Sequence, residues 1–181
     1  MKRKNIRRIT ALMVCAVMLL VLGTTAFAAP RFTDVPSNAW YSGDVEFAVD
    51  NGLVNGTTAT TYSPDKNLTY AEAIKLAACM HKKVTQGSTD FPSGSPWYQP
   101  YVDYARTNGI IPAAKEYPWA ENATRAGYME IFACAIPNTG LLPGYSGLTA
   151  KNTVDNGTIP DVQMTHPQAG AIYKLYRAGI L

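Results

Sequence analysis

The sequence predicts an all-α domain of short helix-loop-helix repeats, and three features carry that prediction. An aromatic pair, Trp40 with Tyr41 and again Trp97 with Tyr98, opens an amphipathic segment. A glycine follows the last apolar residue of such a segment, and a threonine opens a second apolar segment in each of two copies. Apolar and polar residues do not alternate over runs of strand length, which leaves little of the chain for a sheet.

The first 28 residues are predicted to be a secretory signal peptide. Five basic residues precede an apolar run of 15 residues from Ile9 to Gly23, and Ala26-Phe27-Ala28 forms a small-residue cleavage site. The apolar run is shorter than the roughly 20 residues that a membrane-spanning helix needs. A retained N-terminal anchor would also leave the rest of the chain outside the cytoplasm. We therefore expect a secreted protein that works outside the cytoplasm.

Loss of this leader changes the charge of the protein. The whole chain has a formal net charge of +3, whereas the mature chain keeps 11 Lys and Arg against 13 Asp and Glu, a net charge of −2. A net negative charge gives no indication of a basic surface, so nucleic acid is not a predicted partner. The remaining 153 residues suffice for one domain with its own core.

The mature sequence repeats itself. The stretch from Phe32 to Tyr41 reappears in the stretch ending at Tyr98, and a third copy begins at Ile159. We expect this third copy to be incomplete, since the sequence stops after one helix and its glycine. The predicted organisation is a signal peptide at 1–28, copy one at 29–87, copy two at 88–143, and a linker with the incomplete copy three at 144–181.

Copy one predicts two helices. The first starts at the aromatic pair, carries Val45, Ala48 and Val49 on one face, and ends at Gly52, because glycine takes the left-handed conformation of a helix C-cap without strain. The second starts at Thr69, which forms a capping box with Glu72.

Copies two and three vary this plan. Gly127 stands where copy one has the capping-box glutamate, so the second helix of copy two is expected to be frayed or capped by Thr124 alone. Residues 137–157 are rich in Gly and Pro and predict a linker. One helix is expected at 167–178, and Gly109 and Gly179 repeat the glycine stop.

The ordered series Phe-x-Asp-Val, Trp-Tyr, Asn-Gly-Leu, Tyr-Ser-Pro and Leu-Thr-x-Ala-Glu resembles the S-layer homology (SLH) repeat over nearly all of the mature chain. The resemblance implies three helix-loop-helix units in a pseudo-threefold bundle, the third incomplete here. It also implies a location at the cell wall or in the S-layer, and a non-catalytic module that anchors a protein to secondary cell-wall polysaccharide, often pyruvylated, or to modified peptidoglycan. The alternative is an N-terminal fragment of a larger S-layer protein or wall-attached enzyme whose working domain is absent from this sequence.

The resemblance also implies where glycan would bind, namely at a Thr-Arg-Ala-Glu motif and at acidic and aromatic residues near the first helix. Neither motif is intact, because Tyr70 replaces the arginine in copy one and Gly127 the glutamate in copy two. Arg125 is therefore the expected anion-binding residue, since a guanidinium can bind a carboxylate with two parallel hydrogen bonds. Copy one, which lacks the arginine, is expected to bind neutral sugar faces or no sugar. The predicted glycan-binding residues are Arg125, Thr124, Trp97, Asp90, Glu72, Thr69, Trp40 and Asp34.

Several of these residues have a plainer interpretation. A Trp that opens an amphipathic helix is more often packed in the core, so core packing is favoured over sugar stacking for both tryptophans. The three aspartates at the copy starts are interpreted first as turn caps. Two equivalent cysteines are expected to be buried thiols rather than a disulfide. The three aspartates are Asp34, Asp90 and Asp161, and the two cysteines are Cys79 and Cys134.

The sequence predicts no enzyme, cofactor or metal site. It contains no Gly-x-Ser-x-Gly elbow and no recognisable Cys-His pair for nucleophilic catalysis. His81 and His166 stand apart, without a carboxylate or thiol at ligand spacing, and are expected at the surface.

Overall fold

The computed structural model describes residues 31–136 and 151–181. These residues form no strand, which confirms the all-α prediction, and the helices are α1 (Ser42–Asp50), α2 (Tyr70–Gln86), α3 (Gln99–Thr107), α4 (Arg125–Ala135) and α5 (Ala169–Arg177). None of these helices is long and apolar enough to cross a membrane. The predicted signal peptide and residues 137–150 of the predicted linker lie outside the described residues.

Local sequence signals set the helix starts. The backbone N–H of Glu72 donates to the Thr69 hydroxyl over 3.2 Å, and the Thr69 N–H donates back to the Glu72 carboxylate over 2.9 Å. At the start of α4 the Thr124 hydroxyl accepts from the Gly127 N–H over 3.0 Å, with no return bond from a glutamate. The capping box of α2 and the single threonine cap of α4 are therefore as predicted.

The glycine stops are also confirmed. Gly52, Gly109 and Gly179 have φ angles of 69°, 68° and 71°. Each glycine stands two residues after the end of α1, α3 or α5, in the left-handed region that a residue with a Cβ rarely adopts.

The core lies around α2, which packs against both α3 and α4. Small residues on α2, Ala73 and Ala77, are fully buried and let Ile131 of α4 and Val102 of α3 approach closely. α5 packs against α4 in the way that α3 packs against α2. By contrast, α1 packs against no other described helix; its Val45 contacts the residues that precede it in copy one.

The starts of α2 and α4 are held side by side. The Tyr70 N–H donates to the Glu121 carbonyl over 3.0 Å, and the Ala71 N–H donates to the Trp119 carbonyl over 3.0 Å. The Ala123 N–H returns a bond to the Leu68 carbonyl over 2.8 Å. The two Thr-led motifs, one from each copy, therefore meet at one junction.

Candidate functional site

A cleft of about 550 Å³, called cleft one, lies between α2 and the loop before it. Copy one supplies nearly all of its lining, and Trp97 of copy two contributes to one wall. Apolar side chains supply much of the lining, and the polar and charged side chains among them include Asn55, Thr57, Lys66, Glu72 and Lys75. Cleft one thus combines an aromatic ring with several hydrogen-bonding groups, which suits a polar ligand with apolar faces.

Asp34 holds the loop of cleft one in shape. Its carboxylate accepts the backbone N–H groups of Tyr62, over 2.8 Å, and Ser63, over 2.7 Å. These bonds lower the pKa of Asp34, with the Tyr62 bond contributing most. Ser63 has a φ of 63°, unusual for a residue with a Cβ, and the carboxylate fixes this kink. The interpretation of Asp34 as a cap for the turn before α1 is wrong, since its carboxylate reaches a loop 28 residues further on.

Both carboxylate oxygens of Glu72 accept hydrogen bonds from within the protein. Burial acts to raise the pKa of its carboxyl group, but Lys66 and Thr69 outweigh burial, and the pKa lies below its usual value. The Lys66 ammonium is 2.8 Å from one carboxylate oxygen, and the other oxygen accepts from Thr69. Lys75, in contrast, forms none of the described ion pairs and lies 5.9 Å from the ring centre of Tyr101.

The two tryptophans that precede α1 and α3 are exposed, so the preference for core packing is wrong. Trp40 is 89% exposed and Trp97 is 50% exposed. In both pairs the following tyrosine turns toward the protein, with Tyr41 against the copy-one cluster and Tyr98 against the main core. The tryptophan ring consequently stays outside, edge-on to its neighbour. Trp97 lines cleft one, whereas Trp40 does not.

A second cleft of about 370 Å³, called cleft two, lies between α4 and copy three. Arg125 and Met129 line it from α4, and Asp161, His166 and Tyr176 line it from copy three. Arg125 is exposed and takes part in none of the ion pairs between described residues. Its guanidinium is therefore available to an anion.

The predicted glycan-binding residues thus fall into separate groups. Glu72 and Trp97 meet at cleft one, Arg125 lies at cleft two, and Thr69 and Thr124 act as helix caps. The remaining three, Trp40, Asp34 and Asp90, line neither cleft; Asp90 is exposed and accepts a bond from the Ser88 hydroxyl over 2.9 Å.

Sequence reasoning missed Lys66 and Lys75. The one sequence signal for Lys66 is its place three residues before the motif threonine. An isolated lysine on the surface is common, and only the fold brings these two to the same cleft.

The cysteines and histidines are only partly as expected. Both cysteines are free thiols; Cys79 is buried as predicted, but Cys134 is exposed. Cys79 lies close to Tyr101 of α3. His81 is half-buried rather than at the surface, its ring 2.9 Å from the Tyr104 hydroxyl, and burial lowers its pKa. Among residues 31–136 and 151–181, no three His, Cys, Asp or Glu side chains are grouped to hold a metal ion.

Comparison with known proteins gives a consistent result. Residues 31–74 match the S-layer homology domain, which confirms the resemblance in copy one. The chain is 31% identical over 122 residues, 62% of its length, to a surface-layer 125 kDa protein of Lysinibacillus sphaericus, and covers 10% of that protein. It is 29% identical over 108 residues, 57% of its length, to the S-layer protein sap of Bacillus anthracis, and covers 13% of it. The chain therefore spans about a tenth of the length of these curated relatives.

Proposed function

We propose that this protein is a non-catalytic cell-surface anchoring module that binds an acidic cell-wall polysaccharide in clefts one and two. The S-layer homology match in copy one and the similarity to S-layer proteins support a role at the bacterial surface. The predicted signal peptide agrees with a place outside the cytoplasm.

Cleft one is the observation that carries the proposal. Its volume of about 550 Å³ is ample for a sugar unit, and its lining offers hydroxyl, amide and ammonium groups beside a tryptophan ring. A half-exposed tryptophan presents a flat apolar face to the C–H groups of a sugar, and the polar groups around it satisfy the sugar hydroxyls. This combination suits the binding of a carbohydrate chain.

Arg125 supports an acidic ligand. Its exposed guanidinium lies at cleft two and is used by no ion pair among the described residues. Two parallel hydrogen bonds from a guanidinium fit the carboxylate of a pyruvate ketal on a sugar. Pyruvylated wall polysaccharide is therefore the proposed ligand, and modified peptidoglycan is the other wall polymer to be compared with it.

The alternative is that this chain is the N-terminal part of a larger S-layer protein or wall-attached enzyme. Its support is that the relatives are several times longer than this chain. We expect these residues to serve as the anchor in both cases, because residues of the repeats line both candidate clefts.

The paired tryptophans provide the test. Replacing Trp97 by alanine should weaken binding to purified wall polysaccharide by about 1 to 3 kcal/mol, by analogy with the stacking of bases on aromatic side chains. Trp40→Ala is the matched control, since Trp40 is the more exposed ring but does not line cleft one. Isothermal titration calorimetry measures both. Equal losses for the two variants, or no loss for Trp97→Ala, would remove cleft one from the proposal.

A further inference from the structure

Both departures from the motif occur at one place in the structure. Tyr70 replaces the motif arginine of copy one, and Gly127 replaces the motif glutamate of copy two. A Cβ atom built on Gly127 would lie 2.8 Å from Cε1 and 3.0 Å from Cζ of Tyr70, and closer still to the Tyr70 hydroxyl oxygen. A Cβ atom this close to the ring would force one of the two to shift, so a side chain at residue 127 is incompatible with Tyr70 in its present position.

The Tyr70 ring is held at this junction. Its ring centre is 5.4 Å from that of Tyr117, whose ring is in turn 5.3 Å from that of Trp119. The backbone bonds that join the starts of α2 and α4 fix the chain on both sides of the ring. The Tyr70 hydroxyl also lies 3.4 Å from the hydroxyl of Thr124. The phenol cannot swing away without losing these neighbours.

We propose that Tyr70 seals the junction between the two motifs by filling the space of the missing Gly127 side chain, so that the protein takes an acidic sugar at Arg125 but not at this junction. The inference rests on the proposed function for its ligand and on the Tyr70–Gly127 contact for its geometry. It makes Tyr70 a specificity-determining residue: the phenol blocks the junction and does not supply the positive charge of the motif arginine.

A set of thermal unfolding measurements tests the contact by itself. Alanine is favoured over glycine in a helix where nothing meets its Cβ. In the Tyr70→Ala background, which lacks the ring, Gly127→Ala should therefore raise the Tm by about 2 to 4 °C. In the wild-type background the same change should lower the Tm, because the new Cβ meets the ring. Tyr70→Phe, which removes only the hydroxyl, serves if Tyr70→Ala does not fold, and should give a smaller loss. A change in Tm that is the same in all backgrounds would overturn the proposal.

Ligand binding tests the sealing. The probe is a methyl glycoside that carries a pyruvate ketal, titrated into wild-type protein, Tyr70→Arg and Tyr70→Gln. We expect Tyr70→Arg to bind one more probe molecule than wild type and Tyr70→Gln, which opens the junction without adding charge, to bind no more. If Tyr70→Arg gains no site, the sealing role is wrong. If wild type binds no probe but Tyr70→Arg binds one, the seal is supported and the role of Arg125 in the proposed function is wrong.

Discussion

Residues at equivalent places in the repeats have different surroundings in this protein. Trp97 lines a cleft that Trp40 does not reach, and Arg125 stands free where Tyr70 is packed. The difference comes from the neighbour that each copy meets in the fold. Copy two covers the motif of copy one, whereas the Arg125 side of the copy-two motif faces an open cleft.

The free guanidinium of Arg125 gives a prediction at this scale. Arg125→Ala should weaken binding of an acidic wall polysaccharide by about 1.5 to 3 kcal/mol, the range for a hydrogen bond to a charged group. That corresponds to roughly 10- to 150-fold in Kd. The effect should diminish as salt is added, because the contact is ionic and exposed.

Lys83→Ala is the control for the loss of one positive charge, since Lys83 lies in the last turn of α2 and lines neither cleft. Calorimetry or surface plasmon resonance with the isolated polysaccharide gives both affinities. Wild-type affinity for Arg125→Ala together with lost binding for Trp97→Ala would show that stacking, and not the guanidinium, carries recognition.

The loop between α1 and α2 is the element on which cleft one depends. Asp34 fixes it through the N–H groups of Tyr62 and Ser63, and both bonds require an acceptor on each carboxylate oxygen. An asparagine side chain offers one carbonyl oxygen and turns an NH₂ group toward the second donor. The fold of the loop should therefore be sensitive to this single carboxylate.

We predict that Asp34→Asn lowers the Tm at neutral pH, and that the difference from wild type becomes smaller in acid. The pKa of Asp34 is lower in the folded protein than in the unfolded chain, so its stabilisation is fully present above the unfolded pKa of about 4. It is lost as the pH falls through the folded pKa. Thermal unfolding between about pH 7 and pH 3 measures this, with Asp65→Asn, an exposed residue of the same loop, as control. A constant difference across that range would contradict the assignment.

Short-range features of these elements could be predicted from the sequence. The capping box at Thr69, the lone cap at Thr124 and the glycine stops depend on residues within about four positions of each other, so the pattern is sufficient. The clefts could not be predicted, because Lys66 and Trp97 are brought together by the packing of α3 on α2. The tryptophans were misassigned for the same reason: the pattern identifies an aromatic pair but not which ring turns inward.

At the scale of the whole molecule, α1 is exceptional. α3 and α5 each pack on the second helix of the preceding copy, whereas α1 packs on no other described helix. Phe47 of α1 is 65% exposed, although Tyr104, its equivalent on α3, bonds to His81 of α2. The pseudo-threefold bundle expected from the resemblance would place a further second-type helix against α1, and this arrangement remains a prediction.

A designed extension tests that arrangement. Adding a loop and a helix with the apolar pattern of α2 after Leu181 should raise both the Tm and the affinity for wall polysaccharide, because covering two large apolar side chains is worth about 3 to 6 kcal/mol. The matched control is the same extension with its apolar face made polar. If the apolar extension raises neither quantity above the control, the threefold arrangement does not apply to this chain.

The most direct test of anchoring is co-sedimentation of the purified mature chain with bacterial cell walls, before and after chemical removal of the secondary wall polymer. The proposal predicts that the protein pellets with untreated walls and stays in the supernatant with stripped walls, and that soluble polymer competes for binding. It also predicts that the walls release no sugar or peptide fragments. Equal sedimentation with both preparations would contradict polysaccharide anchoring, and release of wall fragments would contradict a non-catalytic role.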